Sequence, residues 1–335
     1  MRAIRIHRHG GPEVIELVEL PEPPVGDGLL TVRVSHVGLN HLDLWVRRGV
    51  PGHRFPLPLI PGSDVVGFCV ERDQWVALQP GYGCMACARC LEGQHALCRD
   101  YIIRGERGDG GMAELLRVPA SHLLPLPAGL TPEQAAALPL ALLTAWHMVR
   151  TRAGVGPGQR VLVQAGASGT GVYAIQVARL LGAKVMATAS SPQRREACLA
   201  LGADLAVPYE EAVGAVREWT GREGVDVVVD HVGASTWESS LRCLRWGGSY
   251  VSCGATSGHQ VPLDLRALFF KQISVLGSTM GGMGELRQAW QAVADGQIRP
   301  VLDRVMSMRA LGEAHALLEA RQVVGKLVVA QDLAS

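Results

Sequence analysis

The sequence predicts an α/β protein with two domains, an irregular β domain and a doubly wound parallel sheet, and three observations along its 335 residues carry that prediction. About the first 120 residues hold short β-like runs broken by Gly and Pro: MRAIRI, EVIELVEL, LLTVRVSHVGL, DVVGFCVE, QWVALQP and MAELLRVP. From RVLVQA onward, Val-rich strands alternate with helix-length amphipathic segments, the pattern of a parallel sheet covered on both faces. A chain of this length that is 48% hydrophobic and 19% charged fills two cores, and its 40 glycines fit many tight turns.

In chain order, the β runs of the first domain predict mostly antiparallel strands, and Thr131-Pro132-Glu133-Gln134 reads as an N-cap followed by a helix start. The second domain has strands at RVLVQA, AKVMATA, DLAVPY, VDVVVDHV, GGSYVSCG and QISVLGS. Between them lie helices such as VYAIQVARLLG and PQRREACLALG. The stretch from GGMGELRQAW to VGKLVV reads helix, strand, helix, strand and is expected to return to the first domain.

Inside the β domain, the run GCMACARCLEGQHALC places Cys84, Cys87, Cys90 and Cys98 at two C-x2-C spacings with a fourth sulfur eight residues on. One loop with four thiolates suits a closed tetrahedral Zn2+ site, which stabilises a lobe and leaves no open position for catalysis. Disulfides and an iron–sulfur cluster are the alternatives. MRAIRIHRHG is not a signal peptide and no apolar run reaches the length of a membrane span, so a cytoplasmic location is expected, where disulfides are rare. Ferredoxin spacings also differ from this one. His95 lies in the loop as a surplus donor and reads as a surface residue. Cys69, Cys198, Cys243 and Cys253 stand singly among apolar neighbours and read as buried thiols. A formal net charge of +1 without a basic block offers no footprint for nucleic acid or an acidic membrane surface, which leaves small-molecule chemistry.

The strand at Val161–Val163 runs into Ala165-Gly166-Ala167-Ser168-Gly169-Thr170-Gly171 and then a helix. Glycines there allow a tight turn and let backbone N–H groups at the positive helix end reach a pyrophosphate. A merely close-packed turn explains one glycine but not three. The next strand ends Ala187-Thr188-Ala189-Ser190-Ser191, without the carboxylate that binds ribose hydroxyls, and Arg194 and Arg195 follow. A guanidinium in place of an acid favours NADP(H) over NAD(H), the other reading of these arginines being a solvated helix face.

With HGGPEVIELVELPEP, VGLNHLDLWVRRG, LPLIPGSDVVG, the four-cysteine lobe, LPLALLTAWHMV, VLVQAGASGTG, VDVVVDHVG, ALFFKQISVLGSTM and VGKLVV, the chain resembles zinc-binding medium-chain dehydrogenases/reductases over essentially its full length. The resemblance implies a GroES-like catalytic domain at 1–140 and 279–335, with the zinc lobe at 84–98, and a Rossmann cofactor domain at 141–278. It also implies that Ser190, Arg194 and Tyr209 surround a 2′-phosphate, and that Thr144 lies at the nicotinamide. Gly166, Ser168, Gly169, Thr170, Gly171, Val232, Cys253, Gly254, Ser278 and Thr279 complete the implied cofactor site. The segment between Cys69 and Pro80 is shorter than the family's usual Gly-rich turn.

Alcohol dehydrogenases of this superfamily hold a second, catalytic zinc. Motif against motif, its three protein ligands fall on Asn40, Ser63 and near Leu140, and the Glu that follows the histidine falls on Asp64. The Ser that opens the family's proton relay falls on Leu42. A Lewis-acid mechanism is therefore not expected. His41, Asp43 and Asp64 are ligand types that a substitute metal site would need, but His41 reads better as facing cofactor phosphates or solvent, and Asp43 as accepting backbone hydrogen bonds. The Asn40 amide either donates to a substrate carbonyl or holds the backbone of its turn.

The expected activity is NADPH-dependent reduction of a quinone or an α,β-unsaturated carbonyl by hydride transfer, with Asn40, His41, Asp43, Asp64 and Thr144 as candidate catalytic residues. Conjugation matters because the resulting enolate is already delocalised and needs less electrophilic help. Protonation is expected from solvent or His41. The alternatives are an alcohol or aldehyde dehydrogenase and, from a different class, a non-catalytic NADPH-binding protein. The resemblance further implies a homodimer or homotetramer, for which the apolar segment Leu263–Leu276 is the candidate contact. Trp45, Tyr82, Tyr101, Trp146 and Met280–Met283 are candidate pocket residues.

Overall fold

The computed structural model describes residues 1–333, which form two compact units, 1–141 with 281–333 and Leu142–Met280. In the first unit, β1 (Arg2–Ile6) and β2 (Ile15–Glu19) form an antiparallel pair. The main sheet uses β3 (Leu29–Gly38), β4 (Asp64–Cys69) and β5 (Gln74–Leu78), while β6 (Gly81–Tyr82) and β7 (Ile102–Ile103) make a small ribbon beside the cysteine loop. β8 (Leu115–Pro119) and β9 (Leu123–Pro125) complete the amino-terminal part. Each run that the alternation of apolar residues picks out is a strand.

β3 is the spine of this unit. Its pairing with β4 shifts between Val34 and His36, a bulge that lets Val32, Val34 and Val37 all face the core despite their mixed spacing. The short connection between β4 and β5 closes through Asp73 in the left-handed region (φ 50°), which Asp tolerates better than most residues. Thr131 caps the helix Pro132–Ala136 by accepting from the Gln134 N–H at 3.4 Å, and Gln134 Oε1 accepts from the Thr131 N–H at 3.2 Å. Gly38 ends β3 where a Cβ would lie 2.0 Å from the Ala136 carbonyl oxygen, so only glycine permits that approach.

The second unit is a parallel sheet of six strands: β10 (Arg160–Val163), β11 (Lys184–Thr188), β12 (Leu205–Val207), β13 (Val225–Asp230), β14 (Leu244–Ser252) and β15 (Ser274–Gly277). They lie in the order β12-β11-β10-β13-β14-β15, which reverses between β10 and β13. Leu162, Met186, Val228, Trp237 and Tyr250 pack one side of this sheet. The chain then re-enters the first unit through the helix Met283–Ala294, β16 (Leu302–Ser307), the helix Leu311–Glu319 and β17 (Lys326–Ala330). β17 joins the main sheet antiparallel to β3, with Val328 opposite Gly38, giving the order β16-β17-β3-β4-β5-β9 with β8 also on β3. Among the described residues no helix is long and apolar enough to cross a membrane.

Candidate metal centre, polar cluster and cofactor turns

In the cysteine loop, Cys87 precedes the short helix Ala88–Leu91, Cys90 lies within it, and Cys98 closes the turn His95–Leu97. The four sulfurs lie within 4.8 Å of one another. Cys84 Sγ and Cys90 Sγ are 4.0 Å apart, close to the about 3.8 Å edge of a tetrahedron with Zn–S bonds of about 2.3 Å. Backbone N–H groups already point at the sulfurs, from Cys84 to Cys98 Sγ at 3.4 Å and from Cys87 to Cys84 Sγ at 3.3 Å. The N–H groups of Ala86 and Cys87 push the Cys84 thiol down to about 6. A Cβ at Gly83 would stand 2.4 Å from Cys90 Sγ, so the loop folds around the sulfur cluster without room for a larger residue. This donor set fits a structural Zn2+. His95 is a correction to the sequence reading: it is buried, and its Nδ1 accepts from the Met283 N–H at 3.2 Å. The lobe therefore packs on the start of a helix, which its local sequence does not reveal.

The positions expected for a catalytic metal carry something different. The pairing of Val328 with Gly38 brings Lys326 opposite Asn40, and the pairing of Gly38 with Asp64 brings the β4 carboxylate beside both. Lys326 Nζ donates to Asn40 Oδ1 at 2.5 Å and to Asp64 Oδ2 at 2.9 Å. Asn40 Nδ2 donates to the same Asp64 oxygen at 3.0 Å, and the Leu140 N–H donates to Asp64 Oδ1 at 2.6 Å. Side-chain exposure is 2% for Lys326 and 0% for Asp64, so charge neutralisation here is internal. Asn40 thus spends its amide on the side chains of Asp64 and Lys326, an arrangement that neither of its two expected roles described. Ser63, in the histidine position, donates its hydroxyl to the Arg104 carbonyl at 2.7 Å.

Asp43 accepts from the Asn40 N–H at 2.7 Å and the Gly62 N–H at 3.1 Å, the backbone role expected of it. Burial pushes its carboxyl up to about 6. His41 opens the helix His41–Arg48 and is lowered by desolvation and by the nearby cations Arg321, Lys326 and Arg48. Leu42 packs on the small apolar cluster of Ile6, Val14, Val46 and Leu59. Among the described residues the four cysteines are the single group of three or more His, Cys, Asp or Glu whose ligand atoms come together; His41, Asp43 and Asp64 do not.

In the second unit, the candidate cofactor residues lie where strands end. Gly166–Gly171 follow β10, Ser190 and Arg194 follow β11, Tyr209 follows β12, Val232 follows β13, Cys253 and Gly254 follow β14, and Ser278 and Thr279 follow β15. All are at the carboxyl edge of a parallel sheet whose order reverses at β10 and β13, the place where such sheets bind ligands. The glycine turn is a cradle that side chains would fill: a Cβ at Gly171 would lie 2.3 Å from the Ala165 carbonyl oxygen, and one at Gly166 would lie 2.8 Å from Ala187 Cβ. Ala165 itself is left-handed (φ 50°). Ser168 caps the helix Gly169–Leu180, accepting from the Gly171 N–H at 3.1 Å. These features fit a pyrophosphate at a helix N-terminus. No acid stands at the end of β11; Arg195 Nη1 reaches the Ala189 carbonyl at 3.4 Å and Arg194 is half-buried beside it. Thr144, on the helix Pro139–Trp146, is buried with its hydroxyl 4.0 Å from Met280 Sδ.

Of the other thiols, Cys69, Cys198 and Cys243 are buried and Cys253 is half-buried, a partial departure from the sequence reading. Among the candidate pocket residues, Tyr101 donates its hydroxyl to the Gly281 carbonyl at 3.0 Å, and Tyr82 stacks on His122.

A sheet-ended glycine turn joined to a GroES-like β unit with a four-thiolate lobe defines an oxidoreductase class. Residues 26–128 match the family profile described as alcohol dehydrogenase GroES-like domain, and residues 169–295 match that of zinc-binding dehydrogenase. A crystal structure of an NAD-dependent alcohol dehydrogenase superposes with a TM-score of 0.94 at 42% identity, covering 98% of this chain and 99% of that one. A quinone oxidoreductase of Salmonella typhimurium is 33% identical over 79% of this chain and 76% of its own length. A crotonyl-CoA reductase of Streptomyces collinus is 30% identical over 90% of this chain and 78% of its own. The chain belongs to the zinc-binding medium-chain dehydrogenase/reductase family and is an oxidoreductase.

Sequence reasoning missed Lys326 and His231. Lys326 carried a readable signal, a lone cation opening the Val-rich strand of VGKLVV, which a strand buried on both faces does not tolerate unpaired. His231, between Asp230 and Val232 at the end of β13, pairs with Ser168 across the turns at 2.7 Å.

Proposed function

We propose that this protein reduces conjugated carbonyl compounds, quinones or enones, with NADPH and without a catalytic metal. One observation carries the reading: where the family's metal ligands would converge, the Lys326 ammonium is already bonded to Asn40 and Asp64. A fixed cation beside Asn40, with Ser63 and Leu140 at the remaining ligand positions, makes a poor donor set for a divalent ion. Bound NADPH would supply the hydride. The glycine turn and the N-terminus of the helix Gly169–Leu180 would hold its pyrophosphate, and Ser190, Arg194 and Tyr209 its 2′-phosphate. Thr144 is the candidate donor near the nicotinamide. Solvent or His41, which opens the helix His41–Arg48 and is exposed, would protonate the product. The four cysteines would hold one structural zinc per subunit.

The test is turnover by the purified protein with NADPH against a quinone, an enone and a simple alcohol, with zinc counted per chain. Reduction of the first two and one zinc is the expected result; ready oxidation of the alcohol with two zincs overturns the reading. Because the 42% identical structure is of an NAD-dependent alcohol dehydrogenase, alcohol oxidation is the second reading. Arg194→Ala is expected to reduce the NADPH-over-NADH preference by about tenfold or more, and an NADH preference unchanged by that substitution removes the 2′-phosphate assignment.

A homodimer or homotetramer is proposed through the β15 edge, supported by the exposure of Leu265 (64%), Phe269 (59%), Phe270 (64%) and Val275 (43%). Light scattering that gives a monomer would remove it.

A further inference from the structure

Two turns of the second unit are fastened together twice. The turn after β10, from Gln164 to Gly171, and the turn after β13, from Asp230 to Gly233, lie on the neighbouring strands between which the sheet order reverses. Beneath the surface, Asp230 accepts from the N–H groups of Val232 at 2.7 Å and Gly233 at 3.2 Å on one oxygen. Its other oxygen accepts from the hydroxyls of Thr236 at 2.7 Å and Ser240 at 3.0 Å. The bonding continues from Gln164 Nε2 to Ser240 Oγ at 3.0 Å and from Thr188 Oγ1 to Gln164 Oε1 at 2.7 Å. It ends at Ala165, whose N–H donates to Thr188 Oγ1 at 3.1 Å. Asp230, Gln164, Thr188, Thr236 and Ser240 are all buried, so this carboxylate has its four donors in a place where any missing one is costly.

The second fastening is at the rim. The backbone of residues 230–233, set by Asp230, directs the His231 ring so that its Nε2 lies 2.7 Å from Ser168 Oγ. That hydroxyl already accepts from the Gly171 N–H as the N-cap of the 12-residue helix Gly169–Leu180. A serine oxygen has one proton and two lone pairs. With the proton on His231 Nε2, Ser168 accepts from both Gly171 and His231, and its own O–H is left to donate outward, beside the N–H groups of the helix start. With Nε2 unprotonated, the serine proton is consumed by the histidine. The same hydroxyl is therefore an anion donor or not according to its partner.

We propose that His231 is a cofactor-positioning residue: its Nε2–H, donated to Ser168, frees the Ser168 hydroxyl proton for a dinucleotide phosphate and locks the two turns as one cradle before the cofactor arrives. The proposal rests on the dinucleotide reading of this unit. It assigns a role to a side chain that touches the cofactor only through Ser168.

The experiment is titration of the intact protein with NADPH and NADH, followed by protein fluorescence or calorimetry, for the wild type, His231→Ala, His231→Gln, Ser168→Ala and the double alanine variant, each with its melting temperature. His231→Ala is expected to weaken NADPH binding about tenfold with little change in melting temperature. His231→Gln, whose amide can still donate to Ser168, restores most of that loss, and the double variant binds no more weakly than Ser168→Ala alone. Wild-type affinity in His231→Ala overturns the proposal, as does a full additional loss in the double variant or a His231→Gln as weak as the alanine. Should His231→Ala misfold, the comparison of His231→Gln with Ser168→Ala decides alone, since the proposal requires the first to bind more tightly than the second. A wild type that binds neither NADPH nor NADH sinks the dinucleotide reading instead, a result separate from all of these.

Discussion

The first unit contains two centres built around positive charge, and they are made in opposite ways. The four-cysteine loop gathers ligands from 15 consecutive positions, Cys84 to Cys98, and its thiolates would be neutralised by an ion from outside the chain. The cluster of Asn40, Asp64 and Lys326 gathers three strand ends from positions up to 286 residues apart and is neutralised by the chain's own ammonium. The contrast is between a charge site that would take its cation from solution and one whose cation is part of the chain. A covalently attached cation cannot be removed by a chelator and offers no exchangeable coordination position, so it can order a site and set its potential without acting as a Lewis acid.

Removing the external cation should have the largest effect. Cys90→Ser with Cys98→Ser is expected to lower zinc from one per chain to none and to destabilise the lobe by at least about 5 kcal/mol, measured by metal analysis and chemical denaturation. Retention of stoichiometric zinc would break the comparison at its first term. Next comes the internal cation. Lys326→Met strands the Asp64 carboxylate in the core, with an expected loss of about 3–5 kcal/mol. Adding Asp64→Asn should recover at least half of it while zinc stays at one per chain. A double variant no more stable than the single one would show that the pair does not behave as a charge-compensated unit.

A smaller effect separates Asp43 from that pair. Its buried carboxyl, raised to about 6 from an ordinary 3.8, favours the folded state when protonated, and this contribution is lost as the pH rises through about 6. Asp43→Asn should therefore gain stability relative to wild type between pH 4 and 6, by about 2 kcal/mol across the window. A flat difference in melting curves over that range would place the carboxylate among the compensated groups. The smallest effect is a control distant from both centres in sequence: Thr131→Ala removes a helix cap and should cost about 1 kcal/mol, with zinc content and pH dependence unchanged.

Much of this molecule could be read along the chain. Every strand of the parallel sheet and the helix start at Thr131 came from local pattern, because alternation, valine runs, capping residues and Gly–Pro punctuation act over a few residues. The cysteine lobe was equally legible, since one loop supplies all four donors. What local pattern missed has a common cause. His95 looked like a surface residue because its partner, the Met283 N–H, is 188 residues away. Asn40 left two roles open because the lysine that occupies its oxygen enters on the last strand.

The sequence by itself determined the two-unit α/β class, the thiolate set and the glycine turn, all of which follow from spacings of a few residues and from backbone demands that only certain side chains meet. Only the tertiary structure decided which side chains meet at Asn40 and Asp64 and what holds Ser168. Those outcomes depend on strand register and on which turns the switch in sheet order makes neighbours. A one-residue slip of β17 on β3 would turn Lys326 to the other face, and nothing within VGKLVV specifies that register apart from the sheet it joins.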